Sequence, residues 1–179
     1  FLGYSATDFL TPSTTFATNR TASHTLVYSG PITVAPAAGT TPNSFVINQA
    51  LTTHFTYDPS LGTDLLLEIV TLGVPTPALS SRMSTGGPVQ MGNTVRSLST
   101  TTALTGSAAP FCPVCRFGYT QTVTAPAILA AAEGGSSLFV WSSSISRVQG
   151  FYDTSNFTSQ GIASPVTIDN LEWRLAGAL

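Results

Sequence analysis

Two cysteines stand three apart in Cys112-Pro113-Val114-Cys115, and this is the tightest pairing of reactive side chains in the chain. In a cytosolic βαβ protein the spacing would suggest a thioredoxin-like redox pair, but no βαβ pattern surrounds it. No histidine follows Cys115, which disfavours haem attachment, and one Cys pair is too few for a tetrahedral zinc site. The remaining reading is a small disulfide, Cys112–Cys115, that pinches a loop in an oxidising compartment. A loop this short gains little entropy from closure, so its role would be local rigidity. His24 and His54 have no second histidine or cysteine nearby and read as strand residues with satisfied hydrogen bonds. Serines are plentiful, but none sits in a Gly-x-Ser-x-Gly elbow, so a Ser-His-Asp triad has no support. Asp64 and Glu68 would share one face of a strand at roughly 13 Å. That exceeds the ~5 to 9.5 Å between paired glycosidase carboxylates. Calcium is the one cofactor the acids would allow, held by Asp58, Asp64 and loop carbonyls, although no Asp-x-Asp-x-Asp loop is present. Asn19-Arg20-Thr21 and Asn156-Phe157-Thr158 match the glycosylation acceptor pattern.

Composition narrows the partners. The 179 residues are 42% hydrophobic and only 8% charged, against roughly 25% charged in ordinary soluble proteins. The surface must therefore be Ser, Thr, Asn, Gln and Gly, which leaves few charges to desolvate when subunits meet. All six basic residues are arginines, so Schiff-base and phosphate-loop lysine chemistry is excluded. The arginines are scattered and the net charge is −2, which argues against a nucleic-acid partner. The longest apolar run, residues 125–132, is far shorter than the ~20 residues of a membrane span, so a membrane-spanning protein is not expected. The chain starts at Phe1 with no basic-then-apolar leader and reads as a mature, processed product or a truncated one.

These residues would be positioned by strands. Short β-branched and aromatic runs recur between Gly and Pro signals at residues 25–28, 32–34, 44–47, 64–71, 117–124, 137–141 and 166–175. The fold class expected is all-β: an antiparallel, jelly-roll-like β-sandwich with long Ser/Thr/Gly-rich loops at 83–92 and 97–110 and at most one short helix. Residues 64–70 are apolar on both faces and predict an interior strand. Residues 117–124 alternate as one strand. In the last segment, Val166 and Ile168 have opposite parity to Leu171, Trp173 and Leu175, so Asp169-Asn170 should carry a bulge, with Glu172 and Arg174 facing outward. Pro126 to Ala132 reads as a helical turn or as a covering loop. Residues 1–179 are expected to form one domain, with residues 1–16 either its first strand or an N-terminal arm.

The segment Phe55-Thr56-Tyr57-Asp58-Pro59-Ser60-Leu61-Gly62-Thr63-Asp64-Leu65-Leu66-Leu67-Glu68-Ile69 resembles a motif of secreted bacterial proteins that carry a C-terminal Pro-Glu-Pro (PEP-CTERM) sorting signal, and of similar planctomycete exported proteins. Thr167-Ile168-Asp169-Asn170-Leu171 looks like the last strand of such domains. The resemblance implies an extracellular or cell-surface β-sandwich, and it brings no catalytic residues. In physical terms Pro59 pre-sets a turn and Gly62 supplies a permissive backbone ahead of the apolar strand.

The expectation is a protein that does not catalyse: an extracellular structural or adhesive surface protein that self-associates as a filament, sheath, layer or biofilm-matrix subunit. Its partners would be copies of itself, other matrix components or glycans. The alternative is a carbohydrate-binding module, which would need exposed aromatics such as Trp141, Phe151, Tyr152 or Trp173.

Overall fold

The computed structural model describes residues 1–33, 42–73, 81–83, 92–132, 134–137 and 145–175. The strands in chain order are β1 (Leu2–Tyr4), β2 (Phe45–Tyr57), β3 (Leu65–Thr71), β4 (Ser81–Met83), β5 (Gly92–Ser97), β6 (Ser107–Ala109), β7 (Cys115–Gly118), β8 (Thr122–Ala125), β9 (Gly135–Ser137), β10 (Ser146–Tyr152) and β11 (Val166–Arg174). One antiparallel sheet runs β1-β3-β10-β5-β6, a second runs β2-β11-β7-β8, and β4 pairs with β9. Early strands thus pair with late ones in nested fashion, β2 with β11 and β3 with β10, each pair in a different sheet, as in a jelly roll. The neighbouring pairs β5-β6 and β7-β8 instead stay within one sheet each.

The all-β expectation holds. β3 lies inside its sheet between β1 and β10. Its alternation divides the core. Leu65 and Leu67 face the second sheet, among Tyr57, Phe117, Tyr152, Phe157, Ile168 and Trp173. Leu66 faces the other way, into a cluster with Phe9, Phe16, Val95 and Phe151. The N-terminal stretch covers that outer face, and β1 pairs with β3 from Leu2↔Leu67 to Tyr4↔Leu65. Residues 1–16 therefore pack on their own sheet and do not project as an arm.

The parity change in the last segment is present. The β2–β11 ladder jumps between Ile168↔Phe55 and Asn170↔Ala50, and the extra residues, 51–54, lie on β2. Val166, Ile168, Leu171, Trp173 and Leu175 all reach the inter-sheet core as a result. Two local expectations are corrected. Residues 117–124 are not one strand but two, because the chain reverses at 119–121 and Phe117 comes opposite Val123. Residues 25–28 form only a bridge, Leu2↔Thr25, before the chain crosses from one sheet edge to the other. The α-helix is Ser155–Thr158, which the sequence did not indicate, while the helical-turn alternative for the 126–132 segment is met by the 3-10 turn Ala127–Leu129. The 97–110 loop contains β6; residues 84–91 lie outside the described residues.

Candidate functional site

Two features could serve function: a buried polar cluster on the outer face of the first sheet, and an apolar cavity between the sheets.

The cluster is built on Glu68. Strand alternation puts its side chain on the Leu66 face, where it is 1% exposed. Arg20 forks onto it, Nε to Oε2 at 3.0 Å and Nη2 to Oε1 at 2.5 Å. Arg147 Nε donates to Oε1 at 3.0 Å, and Gln149 Nε2 donates to Oε2 at 2.6 Å. His24 Nε2 lies 3.4 Å from Oε2, and its ring stacks on Phe1. Burial alone would push the Glu68 carboxyl up. The nearby His24 ring nitrogen, the hydrogen bonds from Arg20 and Gln149 and the Arg147 charge outweigh it and hold the group well below the usual carboxylate range. A second tier extends inward. Asn19, fully buried, donates to Gln149 Oε1 and to the Ser13 carbonyl, and Gln149 also donates to the Phe16 carbonyl. The Arg147 guanidinium lies 4.5 Å over the Phe16 ring. Every group faces another protein group, so the cluster fastens residues 13–24 to β3 and β10. Its chemistry is that of a clasp, with no open face for a reacting molecule.

Sequence reasoning missed this cluster, although one signal for it exists. A glutamate inside an otherwise apolar run, Leu65-Leu66-Leu67-Glu68-Ile69, must find buried cationic partners, and β10 offers Arg147 and Gln149 at alternate positions.

The residues singled out from the sequence go elsewhere. Cys112 and Cys115 do not form the expected disulfide; both are buried thiols. They belong to the packed core, where the Tyr152 hydroxyl donates to the Pro113 carbonyl at 2.9 Å and lies 3.1 Å from the Cys115 thiol. Burial pushes the Cys115 thiol up to about 12, which opposes thiolate chemistry. The argument for an oxidising compartment loses its cysteine support. Asp58 caps the turn Pro59–Leu61 through Ser60, and Gly62, with φ 67°, closes that turn. Asp64 accepts from the Phe9 backbone N–H at 2.7 Å. Its carboxyl is raised to about 6, first by burial, with the Phe9 hydrogen bond opposing and Asp153 and Asp8 adding to the rise. Asp58 thus has one oxygen in a local cap, and Asp64 has one tied to the N-terminal stretch. Among the described residues no three His, Cys, Asp or Glu side chains gather as a metal site would require.

The glycan-platform aromatics are corrected too. Phe151 and Tyr152 are fully buried on opposite faces of β10, because the two sides of that strand face the two core clusters. Trp173 is buried in the core, and Trp141 lies outside the described residues. Asn19 and Asn156 are also fully buried, with their amide nitrogens donating to carbonyls, so neither sequon presents an acceptor in the folded chain. Glu172 and Arg174 sit on the outer face of β11 but are buried there, not exposed as expected. Arg116 pairs with Glu172. Arg174 donates to the Leu129, Ala130 and Ala132 carbonyls, and Phe45 lies under both guanidiniums.

The cavity is the second feature. It measures about 710 Å³ and lies where residues 26–32 cross between the sheets, with β3 on one side and β2 and β11 on the other. No helix among the described residues is long and apolar enough to cross a membrane.

No family model matches the chain, and neither a curated protein nor a solved structure matches it.

Proposed function

We propose that the chain is a non-catalytic structural or adhesive protein that associates with copies of itself by strand addition along β2, as the subunit of an extracellular filament, sheath or layer. The observation that carries this reading is the state of the four sheet edges. β1 is covered: it exchanges backbone hydrogen bonds with Thr25, and the Ser23 and Thr21 hydroxyls bond the N–H and C=O of Tyr4. β8 is covered by Gln160, whose side-chain amide accepts from the Thr124 N–H and donates to its carbonyl. β6 is only three residues long, and residues 14 and 15 meet the chain just before it, at Gly106 and Thr105. β2 differs. It is 13 residues long, and among the described residues its contacts away from β11 are few: the Thr52 and Thr53 amides and the Thr52 hydroxyl share the Val27 carbonyl, and the Gln49 side chain donates to the Ala50 carbonyl. Unpaired backbone along such a strand is a template for another chain.

Charge supports the same reading. The exposed β2 residues are Asn48, Ala50, Thr52, Thr53, His54 and Thr56, with no Asp, Glu, Lys or Arg among them, so little desolvation or repulsion opposes a second copy. The resemblance to exported bacterial proteins supplies the extracellular setting.

The test is sedimentation or light scattering across a wide concentration range at native salt, with and without calcium. Wild-type protein is expected to associate. The double variant Ala50→Lys/Thr56→Lys, which adds charges to the exposed face of β2, is expected to stay monomeric with an unchanged melting temperature. A wild-type chain that remains monomeric at high concentration refutes the reading.

A further inference from the structure

The geometry points to a binding site for an uncharged, apolar small molecule in the cavity between the sheets. Its walls are Leu67 and Ile69 of β3, Leu51 of β2, Leu171 and Trp173 of β11, and Val27 of the crossing segment. These residues also belong to, or pack against, the inter-sheet core, so the floor of the cavity is core, while its mouth is open to solvent at residues 29–31 and 72–73.

The chemistry of the occupant follows from the walls. Glu68 is the one charged side chain among the lining residues, and its carboxylate is held on the opposite face of β3 by Arg20, Arg147 and Gln149. The Phe1 nitrogen donates to the Glu68 carbonyl at 2.9 Å, and burial lowers its pKa to about 6, so at neutral pH it is largely uncharged; the Tyr28 hydroxyl donates to the Pro31 carbonyl at 2.6 Å. A charged guest would therefore lose its hydration and gain no counter-charge. Water reaches the mouth, where Ser29, Gln49 and Thr71 line the space, but the inner walls offer it few of the two to four polar partners that a buried water needs, so an apolar guest displaces it there. At about 710 Å³ the space falls within the roughly 300–1,000 Å³ of small-molecule sites. The rim carries apolar side chains as well: Leu26 and Leu72 line the cavity and are 48% and 78% exposed. Exposed leucines at the mouth of an apolar cavity give a water-insoluble guest a continuous path inward.

The site is independent of strand addition on β2, and its test reads binding and not assembly. N-phenyl-1-naphthylamine, a neutral apolar fluorophore, is titrated into the full chain. Saturable enhancement is expected at one probe per chain, unchanged between low and high salt. Ile69→Trp, which fills the cavity from a half-buried position, should weaken binding at least tenfold while the far-ultraviolet circular dichroism is retained. Leu26→Glu sets a charge at the exposed rim, where folding is insensitive, and should weaken binding as well. Three results would each overturn the proposal. One is the absence of saturable binding. Another is a stoichiometry of one probe per two chains, which would mean that the probe sits at a junction between copies. The third is an affinity that neither variant changes.

Discussion

At the scale of single residues, Glu68 is the side chain on which the N-terminal third depends. Glu68→Gln keeps the shape but leaves Arg20 and Arg147 facing a neutral group. Breaking a buried charge cluster from one side costs about 3–5 kcal/mol, and urea unfolding at pH 7 should show a loss of that size. The folded-state pKa of Glu68 lies below its unfolded value. Its contribution is therefore complete above about pH 4.3 and is lost as the pH falls toward the folded-state value. Asp64 works in the other direction. Its carboxyl is raised to about 6, so it favours the folded state fully below the unfolded pKa, and that contribution is lost as the pH rises through about 6. Asp64→Asn retains an acceptor for the Phe9 amide and removes the buried charge. It should stabilise the protein by on the order of 2 kcal/mol at pH 7.5 and have no effect at pH 3.5, as read by urea midpoints at both values. For the cysteines, intact mass should not change on reduction. A thiol reagent should leave both Cys112 and Cys115 unmodified in native buffer and label both in denaturant.

At the scale of elements, the edges decide what the sheets can join. Gln160 imitates a strand by giving and taking one hydrogen bond at Thr124. Gln160→Ala should cost about 1 kcal/mol and uncover β8, so sedimentation should show stronger association than wild type. The elements also show what a single sequence can express. β3 was legible because its apolar residues occupy both parities, which only an interior strand tolerates. The bulge between Ile168 and Leu171 was legible because two apolar sets with opposite parity must still share one core. The hairpin of β7 and β8 was not, because Phe117 and Val123 keep the same parity whether the chain runs straight or turns at 119–121. The burial of Glu172 and Arg174 was equally hidden. Alternation says which face a residue takes, and it says nothing of Arg116, Phe45 or the 129–132 carbonyls that arrive from distant segments to cover that face.

At the scale of the whole molecule, the fold has two cores that share β3 and β10, one between the sheets and one under the N-terminal stretch. Deleting residues 1–16 removes β1, Phe9 and Phe16 and bares Leu66, Val95 and Phe151. Loss of cooperative thermal unfolding is expected, and a truncated protein that melts like the full chain would show that the outer core is dispensable. The candidate site was the least legible part, because a cavity belongs to no segment: Leu67, Leu51, Val27 and Trp173 line it together only after both sheets are built. The nesting of β2 with β11 also sets an order of events during synthesis. Thr56 lies beside Thr167, 111 residues later. At roughly 5–20 residues per second, β2 leaves the ribosome several seconds to about twenty seconds before its partner β11 exists. Throughout that interval it has two unclaimed edges, and neighbouring nascent chains on one messenger would present the same strand. Productive folding therefore requires that residues 45–57 of different chains stay apart until residue 174 has emerged.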